Sequence, residues 1–124
     1  MLRWRAEAWP VLTALMDAED RLISRSEGPA VLVQASCDQL DAAVRDTQSW
    51  VDDHRCPDTK FGLYVAELIS ASRGMGAIML RIIREAPDGN WTDDRKLADE
   101  VGAHLMDRIE QASRARLYLR QWSV

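Results

Sequence analysis

Two cysteines in 124 residues leave no disulfide framework unless Cys37 pairs with Cys56. A helix running unbroken from Cys37 to His54 separates them by roughly 26 Å, at ~1.5 Å per residue. A disulfide needs Cα atoms within about 7 Å, so the pair neither bridges nor shares one metal. A domain of this length buries roughly two-thirds of its unfolded surface and needs no covalent staple.

Long hydrophobic runs are also missing. The longest uncharged apolar stretch, GMGAIML at 74–80, lies between Arg73 and Arg81. It falls far short of the ~20 residues that cross a bilayer, so no membrane span is expected. The first twenty residues, MLRWRAEAWPVLTALMDAED, imitate a signal peptide through an arginine pair and an apolar middle. They end in acids without a small-x-small cleavage site, and the reading is an uncleaved, cytoplasmic chain. Positive charge is not in excess: the formal net charge is −4, which argues against nucleic acid and against an anionic membrane surface.

Catalytic and cofactor motifs are absent as well. There is no G-x-S-x-G, P-loop or H-E-x-x-H. Glu100 and His104 share a helix face, but not with the E-x-x-H spacing of di-iron bundles. The expectation is a non-enzymatic protein with no cofactor and no metal.

What the chain does have is helical period. SEGP at 26–29, CPD at 56–58 and APDGN at 86–90 are breakers, and the segments between them repeat at helical spacing. In the first, Leu12, Leu15, Leu22 and Ile23 share a face. Pro10 suits a first turn, so regular helix is expected from near Trp9, with residues 2–8 as an extra kinked turn. The second carries a seam of Val33, Cys37, Leu40, Val44, Thr47 and Val51. Asp58 is the expected cap of the third, whose seam is Phe61, Val65, Leu68, Ser72, Met75, Met79 and Ile82. The fourth is expected to follow Thr92, with Leu97, Val101, Leu105, Ile109, Ala112 and Leu119 inward. Short connectors favour antiparallel neighbours, giving a single all-α domain over 1–124: an up-down-up-down four-helix bundle, with helical hairpins paired in a dimer as the alternative.

Four features bear on function. Asp52, Asp53, His54, Cys56 and Asp58 crowd seven positions, yet a helix corner explains them better than a metal site, because zinc favours paired ligands such as C-x-x-C. The bundle topology gathers Trp4, Trp9, Trp50, Phe61, Tyr64, Tyr118 and Trp122 at one end, leaving Trp91 at the other. That end reads as an aromatic plug, and Trp9, Trp50, Tyr64 and Trp122 as a candidate aromatic-ligand surface. Helical projection puts Glu19 in the first stripe. It also allows an interior polar layer of Thr47, Ser72, His104 and Arg108, able to hold a small anion. Finally, Ile69, Gly76, Leu80 and Ile83 widen the apolar arc of the third helix to roughly 200°, beyond the ~100° stripe of one core-facing helix. The expected function is therefore a small interaction or regulatory module. It is a homodimer, or docks a helical partner, through those four residues. The alternative is a bundle binding a small aromatic or anionic ligand.

Overall fold

A computed structural model describes residues 1–87 and 91–121. Its elements are α1 (Leu2–Ser24), α2 (Ala30–Asp53), α3 (Thr59–Glu85), a 3₁₀ turn (Trp91–Asp93) and α4 (Arg95–Gln121). The helices pack in chain order, α1 on α2, α2 on α3 and α3 on α4, as an all-α four-helix bundle. The third breaker lies partly outside the described residues.

The inward seams are those of the sequence period. All seven seam residues of α3 are buried. So are Val33, Cys37, Leu40, Val44 and Thr47 of α2, and Leu97, Val101, Leu105, Ala112 and Leu119 of α4. By length and composition α3 is apolar enough to cross a membrane. The expectation of no span rested on its short uncharged run, and in the bundle its seam packs against the other helices.

Two helix starts differ from the sequence expectation. The first helix begins at Leu2, with Pro10 inside it. Pro10 offers no N–H to the Ala6 carbonyl, a defect that costs about 3 kcal/mol in a helix interior. The turns before it hold because Trp4 and Ala8 are buried and the Trp4 indole N–H donates to the His54 carbonyl. Packing outweighs the local penalty. At α4, Asp94 rather than Thr92 is the cap, its carboxylate accepting from the Leu97 N–H at 3.1 Å. The cause lies one turn earlier. Trp91 is buried and its indole donates to the Ser26 carbonyl at 2.9 Å, which pins a 3₁₀ turn where the helix would have begun. Asp58 caps α3 as expected, accepting from the Phe61 N–H at 2.8 Å.

Gly102 sits inside α4 with nothing within 4 Å of an added Cβ. Alanine there gains helix propensity without a clash. Gly102→Ala is expected to stabilise the protein by about 0.5–1 kcal/mol, read as a higher urea midpoint with an unchanged slope.

Candidate functional site

The polar interior centres on Glu19, which is fully buried. The Ser72 hydroxyl of α3 lies 2.6 Å from Glu19 Oε2 and 2.9 Å from the Leu68 carbonyl. Arg116 of α4 reaches Glu19 Oε1 through Nη2 at 2.6 Å and through Nε at 3.2 Å. Its fork also donates to Asp20 at 2.9 Å and to the Met16 carbonyl at 3.0 Å. Burial pushes the Glu19 carboxyl above its ordinary value, against the opposing pull of Ser72 and Arg116. The hydrogen bonds are compatible with that direction. Protonated Glu19 can donate to Ser72, leaving the one hydroxyl proton of Ser72 for Leu68.

This cluster is not the layer read from the sequence. His104 and Arg108 are exposed, and Arg108 donates to Gln111 at 2.9 Å. Its stem lies over Gly74, where an added Cβ would stand 2.7 Å from Arg108 Cδ. Thr47 is buried but donates to the Ala43 carbonyl at 2.7 Å and lines a shallow α1–α2 groove. Ser72 alone of the four joins the interior cluster. The residue missed was Arg116. The available signal was Glu19 itself, a carboxylate on an apolar stripe that demands a cation. The buried alanines beside Arg116, Ala112 and Ala115, leave its guanidinium room to approach.

A groove of about 470 Å³ runs between α2 and α3. Leu40, Val44 and Cys37 line it from α2, with Asp38 and Asp41 at the rim, and Gly76, Ala77, Leu80 and Arg73 face them from α3. Burial, with Asp38 adding, raises the Cys37 thiol to about 11, so it stays neutral and weakly nucleophilic at pH 7. The four residues expected on a partner surface divide here. Ile69 is 4% exposed and belongs to the core, because α3 is enclosed by α2 on one flank and α4 on the other. Ile83 packs partly buried against that core. Gly76 faces α2, and Leu80 remains 47% exposed.

At one end Trp4 packs on Trp50 with ring centroids 5.3 Å apart, and edge-on to Phe61 at 5.6 Å. His54 stacks on Trp50 at 4.3 Å. Tyr64 and Tyr118 stack on each other at 4.2 Å, joining α3 to α4. Trp9 is partly buried against the core, and Trp122 lies outside the described residues. In the adjoining corner, Asp52 accepts from Gln48 at 2.8 Å, and the Cys56 thiol donates to the Asp58 carbonyl at 3.1 Å. Asp58 is engaged as the α3 cap. Among the described residues no three His, Cys, Asp or Glu side chains are arranged to hold a metal ion.

Comparison with family models, curated proteins and solved structures gave no match.

Proposed function

We propose that this chain is a small, non-enzymatic helical interaction or regulatory module that works as a homodimer through its α2–α3 face. One observation carries the reading: Leu80 stands 47% exposed at the edge of an apolar groove whose α3 wall is cut back to Gly76 and Ala77. A leucine leaves about 1.5–3 kcal/mol unrealised when it is fully exposed rather than buried, and small residues beside it let another helix approach. Val31, 79% exposed, extends the strip, because it precedes Gln34, Asp38 and Asp41 on one face of α2. The polar cluster with the most chemical potential, Glu19–Ser72–Arg116, is closed to solvent at Glu19 and Ser72, which favours a structural part for it.

Sedimentation equilibrium tests the reading. Wild type is expected to run as a dimer, and Leu80→Glu as a monomer at the same concentration with an unchanged helix signal. Monomers in both samples would remove the proposal.

A further inference from the structure

The walls of the α2–α3 groove carry opposite charge. On α2, Asp38 and Asp41 stand at the rim, and on α3 it is Arg73. Arg73 is exposed, and among the described residues its guanidinium makes no hydrogen bond or ion pair. The two acids are held only by their own helix: Asp38 accepts from Gln34 at 3.0 Å, and Asp41 pairs with Arg45 at 3.2 Å. The Asp41–Arg45 pair is highly exposed, and pairs of that kind contribute about 0–1 kcal/mol. Both acids are therefore open to a further partner.

A second copy laid face to face on this groove can be related to the first by a two-fold axis in one of two simple ways. With the axis across the helices at the groove centre, α2 lies on the partner's α2, and Asp38 and Asp41 meet their own copies. With the axis along the helices, α2 lies on the partner's α3 and heights are preserved. Those heights can be read from the chain. An added Cβ on Gly76 would stand 4.0 Å from Leu40 Cδ2, so Gly76 and Leu40 are level. Counting along antiparallel helices then sets Asp41 level with Met75, roughly 3 Å from Arg73 along the axis. In this arrangement Arg73, level with the partner's Ala43, stands between the heights of the partner's Asp41 and the partner's Arg45 and reaches the partner's Asp41 from within that pair. Leu80 meanwhile lies at the height of the partner's Ser36 and Cys37, over the groove.

Resting on the homodimer reading above, we infer that the partner on this face is a second copy laid face to face with the two-fold axis along the helices, its register set by Arg73 and the partner's Asp41. The area is sufficient. Two helices ~36 Å long and ~10 Å apart present about 700 Å², close to the ~800 Å² per partner of stable complexes.

Charge reversal tests the register at low salt, by sedimentation equilibrium of the full chain. Each copy carries both groups, so the two-fold axis makes the contact twice. Arg73→Asp alone sets acid against acid at both contacts, and Asp41→Arg alone sets base against base. Each is expected to raise the dissociation constant about ten-fold or more. The double variant Asp41→Arg/Arg73→Asp restores opposite charges and is expected within about three-fold of wild type. An equimolar mixture of the two single variants is expected to form a heterodimer. A dimer indifferent to these changes, one that Asp41→Arg strengthens, or a double variant that fails to recover would overturn the register. If Leu80→Glu still separates that dimer, the homodimer itself stands. A monomeric wild type would overturn both.

Discussion

Glu19→Ala is expected to lower the stability of the protein by about 3 kcal/mol at neutral pH, measured by urea unfolding. The substitution removes most of a fully buried side chain, leaving a cavity. It also withdraws the acceptor that Arg116 meets at 2.6 Å. Asp20 and the Met16 carbonyl still hold the guanidinium, which keeps the loss short of that for a stranded buried charge. Glu19→Gln should behave differently. Its carbonyl can accept from Arg116, its amide can donate to Ser72, and the Ser72 hydroxyl is then free for Leu68. Every polar atom keeps a partner, so a change within about 1 kcal/mol is expected. The two variants also fix the sign of a pH dependence. Burial holds the folded carboxyl above its ordinary value of 4.5. The native state thus binds the proton more tightly than the unfolded chain does. That stabilisation is complete below the unfolded value and is lost as pH rises through the folded one. Glutamine stays neutral throughout. Wild type should therefore lose stability relative to Glu19→Gln as pH increases from about 4 to 8. The opposite slope would mean that Arg116 more than offsets the burial of the carboxylate.

Trp4→Ala carries an effect of similar size, a loss of about 3–5 kcal/mol, with a structural signature of its own. Trp4 touches Trp50 and Phe61 and donates to the His54 carbonyl across fifty residues of chain. It is the side chain that holds α1 together ahead of Pro10. Without it the residues before Trp9 lose their anchor. Circular dichroism should then report about seven fewer helical residues even where the remainder is folded. Trp4→Phe keeps most of the ring packing and gives up one hydrogen bond, for which about 1 kcal/mol is expected.

The sequence made the seams legible because a buried helix face repeats every three or four residues whatever it packs against. Val65, Leu68, Met75 and Met79 could be assigned inward without knowing their neighbours. The errors came where a distant contact overrides a local rule. Proline usually marks a first turn, but Trp4 keeps helix in front of Pro10. Thr92 looks like a cap, but Trp91 is tied to Ser26 and the start moves to Asp94. The candidate site was legible in part. Glu19 and Ser72 stood out as polar residues on apolar stripes. Which arginine answers Glu19 depends on how α4 is set against α1, and no helical projection contains that. Arg108 lies over Gly74, and Arg116 turns inward. The wide apolar arc of α3 has a similar explanation. Ile69 is covered within the chain because α3 lies between two neighbours, while Leu80, three turns further along, is left uncovered.

Helical rods ordinarily begin to unwind at their extremities, where the last carbonyls and amides have no helical partner. In this protein a tryptophan closes each extremity. One indole, near the start of α1, is bonded to the α2–α3 corner, and the other, just ahead of α4, is bonded to the α1–α2 corner. Peeling from either tip must first pull a ring out of the core. Melting is thereby shifted from gradual erosion toward one concerted transition, and both ends contribute to cooperativity that the seams alone would not provide.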